Sequence, residues 1–175
     1  MIELKSFHES LTSVQLRGTL FFKANELNVE FCLQDPLHQV MKVGPLKKVL
    51  HRQNDLWKST CFELFLSELG EKSYWELNFS VDGAWNLYRF DEYRRPQPPK
   101  ESLDFQLIDL QWEFSKLKIR LKIPDHLKAL EACLCSVIQL QSNELHYFSS
   151  YHVDSRSARP DFHRRENFTI PLVCT

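Results

Sequence analysis

Glu63 is the one acid inside the apolar run Thr60-Cys-Phe-Glu-Leu-Phe-Leu66. In an extended strand Phe62, Leu64 and Leu66 share one face, so Glu63 falls on the other with Cys61 and Phe65. A carboxylate among apolar neighbours is costly to bury alone. Three roles answer that cost: pairing with an Arg, a His or a backbone N–H, contact with a ligand in a groove, or a raised pKa suited to acid–base work. A second concentration of ionisable groups follows the last apolar run, in His152-Val-Asp154-Ser-Arg156-Ser-Ala-Arg159-Pro-Asp161-Phe-His163-Arg-Arg165. Loops of this kind carry function when a rigid scaffold holds them. Asp161 and His163 are two apart, so an extended backbone points both the same way, with His152 available as a third ligand or base. That set fits a metal site, a His–Asp acid–base pair, or an Arg/His loop that closes one end of the fold through ordinary ion pairs. Its arginines, joined by Arg94 and Arg95, form an anion site if the two loops meet.

The aromatic and polar residues of 74–91 fall into a hairpin pattern. Trp75, Leu77, Phe79 and Val81 alternate with Glu76, Asn78 and Ser80, the period of a half-buried strand. Asp82-Gly83 is the dipeptide of a two-residue turn. That turn sets Val81 opposite Ala84, Phe79 opposite Asn86, Leu77 opposite Tyr88 and Trp75 opposite Phe90, a largely aromatic core face. The other face then holds Ser80 with Trp85, Asn78 with Leu87 and Glu76 with Arg89. It is read either as a ligand surface with one indole, or as an exposed Glu76–Arg89 ion pair with Trp85 under a loop.

These groups need a scaffold, and strand-like runs recur at 13–22, 27–33, 60–67, 74–81, 84–91, 103–114, 116–123, 132–141 and 145–152. Many short strands with turn signals and little helix predict an all-β fold, a two-sheet antiparallel β-sandwich with one or two short helical turns. The helical turns are expected after Pro124 and over Pro45–His51. Arg94-Arg-Pro-Gln-Pro-Pro-Lys100 is a basic, proline-rich loop, and no composition shift marks a second domain, so residues 1–175 are expected to form one domain.

Composition narrows the function. The chain has 175 residues, a net charge of −1 and only four glycines, and its pI is near 6.7. That charge gives no global field for nucleic acid or anionic membrane, and neither is an expected partner. Basic residues beside Trp85, Tyr88, Phe90 and Tyr93 match a stacking nucleic-acid surface only loosely. No G-x-G-x-x-G, P-loop, G-x-S-x-G or H-E-x-x-H pattern occurs. Five cysteines without C-x-x-C indicate neither a disulfide framework nor a zinc ribbon, and Cys133 and Cys135 are read as buried free thiols. No stretch reaches the roughly 20 apolar residues of a membrane helix. Met1-Ile-Glu-Leu-Lys-Ser-Phe-His lacks an apolar run suited to export, so a cytoplasmic location is expected. Composition does not speak to the oligomeric state.

The order Leu56-Trp57…Thr60-Cys61-Phe62-Glu63…Phe65, then Glu76…Asn78-Phe79-Ser80…Gly83…Trp85…Tyr88…Phe90-Asp91…Tyr93-Arg94, and finally Pro160-Asp161-Phe162-His163, resembles the bacterial DOMON-like family. Its superfamily includes the family 9 carbohydrate-binding modules. The resemblance spans nearly the whole chain and implies a β-sandwich that binds a ligand on a concave face without catalysing a reaction. Relatives bind sugars or haem. Haem requires a Met–His axial pair, and besides Met1 the chain offers only Met41, outside the matching motifs, so no cofactor and no metal are expected. The matching positions are Trp57, Glu63, Asn78, Trp85, Tyr88, Asp91, Arg94, His152, Asp161 and His163. Of these, Trp57, Glu63, Asn78, Trp85, Arg94, His152, Asp161 and His163 are the candidate ligand-binding residues for a sugar or sugar-phosphate, an indole stacking on the pyranose while Glu63, Asn78 and Arg94 bind hydroxyls. Two other readings stay open: an enzyme acting on a carbohydrate or cell-wall precursor through Glu63 with His152, Asp161 and His163, and a protein–protein interaction module.

Overall fold

A computed structural model describes residues 1–7, 13–41, 49–153 and 159–174. Among these residues are thirteen strands: β1 (Ile2–Ser6), β2 (Gln15–Lys23), β3 (Glu26–Gln34), β4 (His51–Arg52), β5 (Cys61–Glu68), β6 (Tyr74–Phe79), β7 (Ala84–Phe90), β8 (Lys100–Glu101), β9 (Gln106–Glu113), β10 (Lys116–Lys122), β11 (Ala129–Gln139), β12 (Leu145–Ser149) and β13 (Ile170–Val173). The helical content of the described residues is two 3-10 turns, Leu56–Lys58 and Arg165–Asn167. The all-β expectation stands, and each of the nine strand-like runs overlaps a strand. Residues 124–128 form a turn closed by Leu127 N–H on the Pro124 carbonyl, not the helical turn expected there. Most of the other expected helix, Pro45–His51, lies outside the described residues.

The strands follow one hydrogen-bonded path, β4-β7-β6-β5-β11-β12-β1-β2-β3-β10-β9, with β13 beside β11 and β8 beside β7. Within β1, Ile2–Leu4 pair with β2 while Lys5 and Ser6 pair with β12. The sheet therefore curls through β1 without a break, and hydrogen bonding alone does not divide it in two. Packing brings the two halves together. Phe31 of β3 lies 5.2 Å from Phe62 of β5, Phe62 lies 6.0 Å from Trp112, and Trp75 lies 5.0 Å from Phe105. Leu27, Val29, Phe31, Leu117, Ile119 and Leu121 from one half meet Phe62, Leu64, Leu66, Leu77, Phe79 and Leu87 from the other in one buried cluster. Burying each such side chain contributes about 1.5–3 kcal/mol. The lysines alternating with Leu117, Ile119 and Leu121 face water, as their period requires.

The hairpin β6–β7 differs from its sequence reading by one residue. Tyr74 pairs with Phe90, Glu76 with Tyr88, Asn78 with Asn86 and Phe79 with Trp85. Ser80 N–H bonds the Ala84 carbonyl at 2.8 Å and Gly83 N–H bonds the Ser80 carbonyl at 3.2 Å. The loop is therefore three residues, Val81–Gly83, with Gly83 at φ 95°, a turn followed by a left-handed bulge residue. Because side chains alternate, a one-residue shift flips the whole partner strand. Tyr88 and Phe90 leave the core face expected for them and join Glu76 and Asn78, while Trp85, Leu87 and Arg89 move to the core side.

The curl also brings Gly18 of β2 against β11, and an added Cβ there would sit inside van der Waals contact of Leu134 Cδ1 and 3.4 Å from Leu4 Cδ1. Both leucines are buried. Gly18→Ala is therefore expected to lower stability by about 1–3 kcal/mol through overpacking, read from the urea midpoint. Combined with Leu134→Ala it should cost clearly less than the sum of the two single changes.

Candidate functional site

Strands β5, β6, β7 and β11 are covered on both faces. One face meets the main core; the other carries Cys61, Glu63, Phe65, Tyr74, Glu76, Asn78, Asn86, Tyr88, Phe90, Cys133 and Cys135, all buried. Three segments lie over it: the turn at Leu56–Lys58, the loop through Arg94–Pro99, and the loop 159–168. Asn86 fixes the first of these. Its amide donates to Asn54 Oδ1 at 2.8 Å and its carbonyl accepts from Arg52 Nη1 at 2.8 Å, while the Tyr88 hydroxyl also donates to Asn54 Oδ1. Trp57 thereby rests edge-on against Tyr88, centroids 5.9 Å apart. Asn167 fixes the third, its amide donating to the Asp161 carbonyl at 2.8 Å and its carbonyl accepting from Val153 N–H at 3.1 Å.

Between sheet and loops lies a cavity of about 610 Å³. Its inner end is formed by Glu63 and Glu76, only 3% and 5% exposed. Trp57, Phe90, Tyr147 and Phe162 give it aromatic walls, and Lys58, Arg94 and Arg159 stand at its open side. The size suits one or two small-ligand units.

The charges of this cavity are arranged unevenly. Glu76 Oε1 accepts from the Asn78 amide at 2.8 Å, and Glu76 Oε2 lies 3.6 Å from His163 Nε2. The Tyr74 hydroxyl accepts the Arg94 N–H at 3.0 Å and turns its own proton to His163 Nδ1 at 2.9 Å. The neutral ring then carries its proton on Nε2, facing Glu76. Burial, aided by the Arg94 charge, pushes the His163 pKa down to about 3. Burial also raises Glu76 to about 7, against the opposing pull of Asn78 and Arg94. Glu63 is raised well above the usual carboxylate range by burial and then by the Glu76 charge. Among the described residues no side chain or backbone group hydrogen-bonds the Glu63 carboxyl, whose flanking positions are Cys61, Asn78 and Cys135. Asp161, despite burial that works the other way, is held below its usual value by hydrogen bonds from Tyr93 and Arg94.

The residues singled out in the sequence divide between this cavity and other places. Trp57, Glu63, Arg94 and His163 line it, and Asn78 supports it from behind through Glu76. Asp161 braces Arg94, whose Nη2 donates to it at 2.8 Å, and takes the Tyr93 hydroxyl. Asp161 also accepts from His163 N–H at 3.3 Å in a turn, so the two side chains diverge instead of pointing the same way as an extended backbone would require. His152 does not join them. Its Nε2 donates to the Lys5 carbonyl at 2.9 Å and its ring packs edge-on against Phe7. Trp85 packs on the core side beneath Arg52, 3.8 Å above the ring. The expected Glu76–Arg89 pair is not formed, since Arg89 bonds Asp104 at 3.3 Å and Glu76 is in the cavity. Among the described residues no group of three His, Cys, Asp or Glu is placed to hold a metal. Asp154 and Arg156 lie outside those residues. Sequence reasoning missed Tyr147 and Phe162 as cavity residues; it put Glu76 with Asn78 on a face read as a ligand surface or an exposed ion pair, without naming Glu76 as a site residue.

No family model matches the sequence, and no curated protein matches it. Solved structures with the same fold exist. A candidate carbohydrate-binding protein from Bacteroides uniformis ATCC 8492 superposes with a TM-score of 0.61 at 14% identity, over 99% of this chain and 87% of that one. A family 9 carbohydrate-binding module from Caldicellulosiruptor kristjanssonii in complex with cellotriose gives 0.52 at 11% identity, over 99% and 82%. Its complex with glucose gives 0.50 at 12% identity, over 99% and 84%. At these identities the likeness is one of fold.

The buried acids give a pH signature. An acid whose folded pKa lies above its unfolded value binds more protons when folded, so stability falls as pH rises from about 4.5 through the folded pKa, about 7 for Glu76. His163, lowered to about 3, acts oppositely and adds stability as pH rises from 3 toward 6.5. Glu76→Gln keeps the acceptor for Asn78 and removes the first loss. It is expected to be more stable than the wild type at pH 8 by roughly 2–4 kcal/mol, with the difference shrinking toward pH 4.5, measured by urea unfolding at each pH.

Proposed function

We propose that the protein binds a carbohydrate in the cavity between β5–β6–β7 and its covering loops, without transforming it. The observation that carries this is an enclosed site with paired acceptors at the inner end and an indole on the wall. Glu63 and Glu76 accept hydrogen bonds from sugar hydroxyls, and Trp57 packs on the apolar face of the ring. Arg94, held in place by Asp161, and Lys58 lie where a second ring or a phosphate substituent would leave the cavity. The glucose and cellotriose held by the family 9 modules support the same ligand class for this chain. The two facing halves, closed by one core, support a two-layer sandwich in a single DOMON-like domain.

One observation favours a second reading. A carboxyl at about 7 beside a second raised carboxyl is the pairing that acid–base chemistry on a glycosidic bond uses. The first reading is preferred because His163 is occupied by Tyr74 and Glu76, and its ring nitrogens do not meet Glu63.

Calorimetry against glucose, cellobiose, cellotriose and glucose 6-phosphate tests the proposal. Trp57→Ala is expected to weaken binding about tenfold, the worth of one stacked aromatic, whereas Trp85→Phe should leave affinity within about twofold. Heat from none of these sugars, and none from a hexosamine, would reject carbohydrate binding. Release of reducing sugar from the oligosaccharides, lost in Glu76→Gln, would support the enzyme reading in its place.

A further inference from the structure

At the open side of the cavity Lys58 and Arg94 are paired with acids, while of the two acids at its inner end Glu76 accepts from Asn78 and Glu63 accepts from no described residue. Lys58 Nζ lies 2.7 Å from Asp55, and Arg94 Nη2 lies 2.8 Å from Asp161. Glu63, by contrast, is 3% exposed, lines the cavity, and receives no hydrogen bond from any described residue. Its neighbours add no positive charge. Across β5–β6 it meets Glu76 and Asn78, on β11 it meets Cys133 and Cys135, and on its own strand Cys61. Glu76 faces Tyr74, Tyr88, His163 with a neutral ring, and the more distant Arg94. Two carboxyls thus share the inner end, with no cation among the described residues beside Glu63. Aromatic rings complete the surround, with Trp57, Phe90 and Phe162 lining the same space. Ring faces attract cations and leave anions uncompensated.

We propose that the carbohydrate is an amino sugar, a hexosamine whose ammonium group sits between Glu63 and Glu76 at the inner end of the cavity. The inference rests on the carbohydrate reading above and deepens it. A neutral hydroxyl gives each acid a single hydrogen bond. An ammonium gives three donors and the missing charge, so it favours the ionised acids that burial otherwise opposes. Acetylation of the amine removes both advantages and adds bulk where the strands leave little room.

Burial raises both acids, so an ammonium that favours their ionised forms should draw a proton from them and release it to solvent. Affinity should therefore rise from pH 5.5 toward 7, as Glu76, raised to about 7, loses its proton, and fall again once the ligand amine loses its own at about pH 8.

Titration calorimetry on the full chain at pH 7 tests this with glucosamine, glucose, N-acetylglucosamine, glucose 6-phosphate and ethylammonium, in two buffers of different ionisation enthalpy. Glucosamine is expected to bind at least tenfold tighter than each of the others, and to release up to one proton where glucose releases none. Glu63→Gln should bring the glucosamine-to-glucose ratio to within about threefold and reduce the proton release, leaving the share that belongs to Glu76. Equal or tighter binding of glucose, N-acetylglucosamine or the phosphate, or a glucosamine isotherm with no proton release, overturns the amino-sugar assignment and leaves carbohydrate binding standing. Ethylammonium binding as tightly as glucosamine overturns it as well, because the sugar ring then contributes nothing. If no saccharide binds, both readings fall together. The ligand ratio and the proton count are measured on the wild type, so the test survives a variant that does not fold.

Discussion

The three-residue loop Val81–Gly83 is the constraint from which the site follows. Gly83 at φ 95° and the Ser80–Ala84 pairing set the register of β6 against β7. With the two-residue turn that Asp82-Gly83 favours, Tyr88 and Phe90 would face the main core and Glu76 would stand opposite Arg89 on an open face. The extra residue reverses β7. Tyr88 then braces Trp57, Phe90 meets the His163 ring at 5.1 Å, and Glu76 is enclosed by aromatic side chains. A backbone choice at one position thus converts an exposed polar face into a walled cavity.

Enclosure brings a cost. Burial raises both carboxyls, and the Glu76 charge raises Glu63 further, so the folded state is less stable at neutral pH than the same sheet with amides would be. The protein meets this cost with neutral partners. Asn78 bonds Glu76, His163 stays uncharged because burial and the Arg94 charge hold it so, and Arg94 is tied to Asp161 at the open side. Among the described residues Glu63 remains the acid at the inner end with no hydrogen bond. An arrangement that leaves an acid without a partner in a cavity gains stability from a ligand that supplies one. Site and strain are the same feature.

The strands were largely legible because alternation is local. Leu27–Leu33 and Lys116–Ile123 declare their buried faces residue by residue, and the core confirms them. Shorter pieces escaped. β1 is five residues and β13 contains Pro171, which an edge position tolerates and a sequence pattern penalises. In the site, Glu63 stood out as a charge inside an apolar run, and Trp57, Arg94 and His163 do line its cavity. His152 and Asp161 were grouped with His163 on the assumption of an extended loop. The backbone turns at Asp161 instead, sending Asp161 toward Arg94 and leaving His152 beside Phe7 at the foot of β1.

The sequence by itself determined an all-β chain with apolar alternation on most strands, and it marked Glu63 as an acid needing an explanation, since these properties depend only on neighbours along the chain. Tertiary structure decided which acid joins Glu63, which indole reaches the cavity and which histidine is enclosed. Those depend on strand register and on loops that cross the sheet. A shift of one residue in a turn exchanges the two faces of a strand, and local pattern does not measure that shift.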